Sequence, residues 1–419
     1  MTRQQKIVIT SGVIALVIII AAATYSLTSS TKSASPTSTT TTTTTTSITS
    51  TTTTSSTTTV PPVTAPAGTP LPSGFEPESA SFVSPSVGFV LGISYCTGTP
   101  CLTIARTQDG GKTWLAIPAP NIPLGQGPVI TSDATAVSRI RFVNILDGYL
   151  FGPNLYATHD GGATWHKVTL PGAPSSYGVT SLETNGKTTY LIAGNPNTAL
   201  PGADLLYVSP ANQDGFIQQS QPTLAAGWQP RLITNPYGTV VAANDNKGDL
   251  FFQATGSTTW SHLNPDCLNG IPTNPSVAVA SPVAGSSVPQ IVLACGGDAG
   301  AGTQQKTIVK STDLSTFTTA PSQPPLGGIL NGIASPNGST IAVSASSGAT
   351  FLYVSSNGGS SWQTVINEAS FGGAPIHDLG FTTNTQGFGV EGDARQAGTV
   401  SSKFIMTHDA GLSWQPVTF

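Results

Sequence analysis

From about residue 75 onward, apolar and polar positions alternate in short runs. The runs are cut by Gly, Pro, Asn and Asp, as in Ser81–Gly92, Arg141–Gly152 and Gly380–Val390. A period of two marks strands with one buried face, and the interrupting residues are those that tight turns require. Each stretch predicts two strands joined by a turn. A third strand, such as Leu155–Thr158, and a fourth, such as Trp165–Val168, follow in the same unit. No helical period occurs after residue 70, so no helix is expected there.

The four-strand unit recurs. Thr107–Trp114, Thr158–Trp165, Ser355–Trp362 and Thr407–Trp414 align without gaps. Their shared pattern is Ser/Thr, any, Asp/Asn, any, Gly, any, Ser/Thr, Trp. Weaker copies end at Phe216, Trp260 and Phe317, so the seven closing aromatics lie 51, 51, 44, 57, 45 and 52 residues apart. Repeats of that period build solenoids or propellers. Four antiparallel strands repeated seven times predict an all-β, seven-bladed β-propeller over residues 74–419, a ring that leaves only short, protected edges.

Within the octet, the oxygens of Asp109, Asp160, Asn357 and Asp409 suit acceptance of amides from their own turn. Gly111, Gly162, Gly359 and Gly411 permit positive φ where the hairpin reverses. Trp114, Trp165, Trp362 and Trp414 each bring about 150–250 Å² of ring surface to bury between sheets. This is turn bracing, with a catalytic or metal-binding role for the acids as the alternative. The octet resembles the Asp-box, or bacterial neuraminidase repeat, found in sialidases, sortilin-type receptors and the propeller family of the photosystem II assembly factor. That resemblance covers roughly residues 75–419. It implies boxes on the turn between third and fourth strands, away from the ligand-binding face. It leaves activity open, because the motif occurs in enzymes and non-enzymes alike.

Sialidases hold the sugar carboxylate with three arginines, and use a Tyr–Glu nucleophile pair and an Asp acid/base. The Phe/Tyr-Arg-Ile-Pro motif that precedes their first box is missing; Ser138–Phe142 is the nearest string and follows the first box. The propeller region has five arginines, of which Arg106 lies on a third strand. Arg139, Arg141, Arg231 and Arg395 are the candidate ligand-binding residues: the first two start an inner strand and, with Arg231, can line the mouth of a central channel. The plainer expectation is solvated charge at strand ends. The five glutamates are Glu76 and Glu78 at the entrance, Glu183 near an inner turn, and Glu368 and Glu391 in loops; none has a tyrosine beside it. His159 and His408 share one variable box position and read as exposed turn residues. No catalytic residue, metal site or cofactor is assigned.

The strand order separates two faces. First–second and third–fourth turns share the box face. Second–third loops and blade links share the other, where the longer loops gather and ligand binding is expected. The cysteines fall on that loop face, and Cys96–Cys101 and Cys267–Cys295 are reasonable disulfide pairs, with free thiols as the alternative.

Upstream, residues 1–6 carry Arg3 and Lys6, and residues 7–27 form an uncharged apolar run. Twenty residues of helix span about 30 Å, enough for a bilayer. Basic residues on its N-terminal side predict a cytoplasmic tip and an extracellular remainder. The alternative is a signal peptide cleaved near Ala21–Ala23, giving a secreted protein. In Thr28–Thr59, 28 of 32 residues are Ser or Thr. With the Pro-rich stretch after it, residues 28–73 predict a disordered stalk, glycosylated or plain. All 19 acidic but only 12 of the 15 basic residues follow residue 73, which argues against a nucleic-acid partner. The expected function is a membrane-anchored extracellular propeller that binds a protein or glycan at the cell envelope without catalysis. The alternative is a divergent sialidase-like exo-glycosidase.

Overall fold

The computed structural model describes residues 63–125, 135–195, 203–224, 230–243, 249–265, 275–369, 373–394 and 401–419. The expected membrane segment and residues 28–62 of the expected stalk lie outside these residues. Among the described residues no helix is long and apolar enough to cross a membrane.

The unit Pro61–Phe419 is all-β. Its described residues form 28 strands, numbered β1–β28 in chain order, in seven four-stranded antiparallel sheets. The innermost strands are β1 (Glu76–Phe82), β5 (Arg139–Phe142), β9 (Gly178–Thr184), β13 (Arg231–Asn235), β17 (Ser276–Ala280), β21 (Ile329–Ala334) and β25 (Ile376–Phe381). Each neighbours the next around the ring, and β25 returns to β1. The alternation explains the layers: second strands such as Gly88–Cys96 (β2) and Gly238–Ala242 (β14) are flanked on both sides, and the first five residues of β2 and all of β14 are buried. Fourth strands such as His166–Lys167 (β8) form the exposed rim.

Every blade comes from contiguous chain, so side chains must close the ring. Phe82, Trp114, Phe388, Phe404 and Phe419 pack together across the seam between the last and first blades. Buried Glu76 adds a polar clasp: its Oε2 accepts the amides of Ser401 and Ser402 at 2.9 and 3.1 Å, and both hydroxyls.

The expected stalk boundary at residue 73 falls inside a packed segment. Thr69 exchanges backbone hydrogen bonds with Ala116 on the outer strand Leu115–Ile117 (β4). Arg106 Nη2, buried on Thr99–Thr107 (β3), donates to the Pro66 carbonyl at 2.6 Å. The propeller therefore holds the chain some eight residues earlier than composition suggests, because paired backbone offsets the ordering cost of a Pro-rich segment.

Candidate functional site

Two of the inner strands are irregular where they meet. In β1 the register shifts between Pro77 and Ser79, and in β25 between His377 and Gly380. Asp378 takes φ 48°, a left-handed conformation that Asp tolerates better than most residues. Bulges re-aim side chains, and here they direct Glu78 and Asp378 to the seam facing β5.

Arg141 meets Asp378 there. Its Nε donates to Glu183 Oε1 at 2.8 Å and its Nη2 to Asp378 Oδ1 at 2.9 Å. Its Nη1 donates to the carbonyls of Ile140 and Ala80 at 2.8 and 3.2 Å. Asp378 Oδ2 accepts the Ser79 hydroxyl at 2.6 Å and the Ala80 amide at 2.9 Å. Four of the seven inner strands, β25, β1, β5 and β9, are thus joined through one guanidinium. Burial works to raise the Asp378 carboxyl, but Arg141, Arg139 and His377 outweigh it and hold the group well below its ordinary range. For Glu183 burial prevails over Arg141, and its pKa is raised.

Arg139 sits two residues nearer the loop face. Its Nη1 lies 3.3 Å from Glu78 Oε1 and 3.1 Å from the Glu78 carbonyl. The other carboxylate oxygen of Glu78 accepts the Ala394 amide at 2.8 Å. Burial pushes the Glu78 carboxyl up to about 8, against the pull of Arg139 and that amide. Its ordinary value is 4.5, so between these two values the folded chain holds one proton more than the unfolded chain. Stability from this group is full below the lower value and falls as pH rises towards 8. Thermal melts should show a midpoint lower at pH 8 than at pH 5, and Glu78→Gln should flatten that difference. An identical profile for the variant would show that Glu78 ionises freely.

Solvated charge at strand ends therefore describes neither Arg139 nor Arg141. It does describe Arg231, the first residue of β13, which is exposed and makes no ion pair among the described residues. Although the residue is exposed, the protein crowding its guanidinium, and after that the charge of Arg139, lower its pKa. Both residues begin inner strands, which places them at the loop-face end of the channel. Arg395 lies outside the described residues. Glu391 is not in a loop: it is fully buried on Gly387–Gly392 (β26), 2.9 Å from Lys403. His377 and Asp378 were not singled out from sequence. The available signal was an adjacent polar pair inside an otherwise apolar strand.

The repeated turns form the opposite face. In the second, Thr158 Oγ1 donates to Asp160 Oδ1 and accepts the Gly162 amide, at 2.8 and 2.9 Å. Asp160 Oδ1 also accepts the Thr164 amide, and Oδ2 the Thr164 hydroxyl at 2.6 Å. The turns at Asp109 and Asp409 repeat these bonds. At Asn357 the side-chain amide instead donates to the Ser361 hydroxyl at 2.9 Å. The Thr113 hydroxyl and amide hold the Asp109 carboxyl down at about 2. Gly111, Gly162, Gly359 and Gly411 have φ between +87° and +92°. A Cβ on Gly162 would also lie 2.9 Å from Ile117 of the preceding blade. Trp114 and Trp414 are buried, while Trp165 and Trp362 are partly buried and donate to the carbonyls of Pro118 and Ser322 in the links behind them.

On the loop face, Cys96 and Cys101 form a disulfide. Cys295 is also disulfide-bonded; its expected partner Cys267 lies outside the described residues.

No family model and no curated protein matches the chain. Among solved structures it is similar to YCF48 bound to a D1 peptide, with 16% identity and a TM-score of 0.52 over 83% of this chain and 99% of that one. It is also similar to YCF48 from Cyanidioschyzon merolae, with 15% identity and a TM-score of 0.50 over 82% and 98%. An ulvan lyase with bound saccharide gives 11% identity and a TM-score of 0.48 over 83% and 97%. The likeness is one of fold.

A sugar carboxylate would need converging, uncommitted arginines. The described channel offers one such side chain, Arg231, because Arg141 is held by the carboxyls of Glu183 and Asp378 and Arg139 by the carboxyl and backbone carbonyl of Glu78. The hydroxyls of Tyr149, Tyr177, Tyr207 and Tyr353 donate to backbone carbonyls and that of Tyr190 to Gln253, so none of these five is the partner of a glutamate.

Proposed function

We propose that this is a non-catalytic propeller of the Asp-box kind that binds a protein partner through its loop face. The observation that carries this reading is the pairing of the channel arginines. A guanidinium held by buried carboxylates serves as architecture, and it leaves Arg231 with the edge of Arg139 as the cationic feature at the channel mouth. A mouth of that character suits an acidic peptide segment or a chain-terminal carboxylate. That a propeller of similar fold was solved with a peptide bound supports a peptide over a glycan. We further propose that residues 7–27 anchor the chain in the membrane and that the Ser/Thr segment carries the propeller outside the cell.

The test is an array of acidic and C-terminal peptides probed with the full-length chain, beside a glycan array. Peptide binding is expected, weakened at least tenfold by Arg231→Glu with an unchanged melting temperature. Binding indifferent to that reversal, or release of sugar from a sialyl-oligosaccharide, would sink the proposal. Carbonate extraction of cell membranes tests the anchor: the chain should stay in the pellet.

A further inference from the structure

The turn face holds a cluster that the proposed function does not use. His159 occupies a variable position of the second repeated turn, and His166 begins β8 just after Trp165. Asp147 lies in the first–second turn of the same blade. Asp214 comes from the third–fourth turn of the third blade, ahead of Phe216. His159 Nδ1 lies 2.7 Å from Asp147 Oδ1, and its Nε2 lies 3.0 Å from Asp214 Oδ2. His166 Nε2 lies 2.6 Å from the same Asp214 oxygen. The ligand atoms of His159, His166 and Asp214 all fall within 4.8 Å of one another.

Proton placement makes this arrangement informative. An ionised carboxylate only accepts, so Asp147 requires the proton of His159 on Nδ1. In the neutral ring, Nε2 then carries a lone pair aimed at Asp214 Oδ2, which is also an acceptor. The second histidine directs its Nε2 to the same point. Two acceptors at hydrogen-bonding distance need positive charge between them. A second proton on His159 supplies it only by making the ring an imidazolium; one divalent cation supplies it with both rings neutral. The Asp214 carboxylate also has charge to spare, because its buried Oδ1 makes no hydrogen bond among the described residues.

We propose that His159, His166 and Asp214 bind a zinc ion that fastens the second blade to the third on the turn face. Two imidazoles and a carboxylate are a borderline-soft, three-ligand set of the kind zinc takes with a water in the fourth position. Zn–N and Zn–O bonds of about 2.0–2.2 Å put tetrahedral ligand atoms about 3.3–3.6 Å apart, so closure needs shifts of about an ångström at side-chain tips. Asp147 fixes the tautomer and ring orientation of His159 from outside the coordination sphere, as carboxylates behind zinc-bound histidines commonly do. His408 provides the internal comparison. It occupies the same position of its own repeated turn, yet it is exposed and makes none of these contacts.

The experiment uses the full-length chain stripped with a chelator, zinc alone as the probe, and competition with a chromogenic chelator as the readout. One zinc per chain should bind and raise the melting temperature. His159→Ala and His166→Ala should each abolish that equivalent, Asp147→Asn should weaken it about 10–100-fold, and His408→Ala should leave it unchanged. Melts without zinc establish that each variant is folded. Should a histidine variant fail to fold, cobalt on the unmutated chain decides the matter, because a tetrahedral site gives an intense visible band that zinc then bleaches. A folded double variant that keeps its zinc overturns the proposal. So does an unmutated chain that binds none at micromolar free zinc, which would show that a proton bridges these residues.

Discussion

Arg141→Ala is expected to destabilise the propeller by about 3–5 kcal/mol, the range for removing one partner of a buried ion pair. The loss exceeds that of one bond because it strands Asp378, whose carboxyl folding holds ionised, and Glu183, in an environment that disfavours charge. It also separates β25 from β5 at the place where the ring closes without an exchanged strand. Arg141→Lys keeps the charge but loses the fork that reaches both carboxylates, so it should recover only part of the stability. Urea unfolding followed by tryptophan fluorescence would measure both. A change below about 1 kcal/mol in the alanine variant would mean that the aromatic seam closes the ring unaided.

Lys306→Met should be nearly as costly. Lys306 is fully buried on Thr303–Ser311 (β19), and its Nζ lies 2.9–3.1 Å from the carbonyls of Gln304, Leu326, Gly327 and Pro325, which share its three N–H donors. Three of these belong to the link between the fifth and sixth blades. The side chain also lies over the Tyr353 ring, 5.6 Å from its centre. Burial lowers the pKa to about 8, so at neutral pH the ammonium persists with its three N–H bonds. Methionine matches the length and keeps the packing, but it removes the ammonium from all four carbonyls; Leu326 keeps the Gln304 amide and Gly327 the Tyr353 hydroxyl, so the loss falls mainly on the carbonyls of Gln304 and Pro325. At about 1–3 kcal/mol per unsatisfied buried group, a loss of about 3 kcal/mol or more is expected, read as a lower urea midpoint with an unchanged slope. A midpoint within error of the unmutated protein would show that water reaches the link.

The arrangement of blades was legible because it is encoded locally. A strand shows itself by alternation, a turn by its Gly, Asn and Asp, and a repeated octet shows how many units there are. The turn hydrogen bonds at Asp109, Asp160, Asn357 and Asp409 span at most four residues, so adjacent sequence contains both partners. The weak fifth copy shows the same economy: Asp313 accepts the amides of Ser315 and Thr316 although the turn is one residue shorter.

The candidate site follows a different rule. Asp378 meets Arg141 across 237 positions, and Glu78 meets the Ala394 amide across 316. The polar pair His377–Asp378 in an apolar strand hints at burial, but nothing near either residue in the chain names its partner. Lys306 sits in the polar run Gln304–Thr307, which reads as surface until the following link folds over it. His159 and His408 stand at the same motif position, and only the fold, through Asp147 of the adjoining turn and Asp214 of the next blade, separates a two-carboxylate contact from a solvated ring. Sequence alone thus determined the strands, the turns and their sevenfold repetition, because those depend on backbone preference and periodic burial over a few residues. Tertiary structure decided which charges are paired, which remain free and where the chain ceases to be stalk, because an isolated ionisable side chain acquires its role from partners that only ring closure brings within reach.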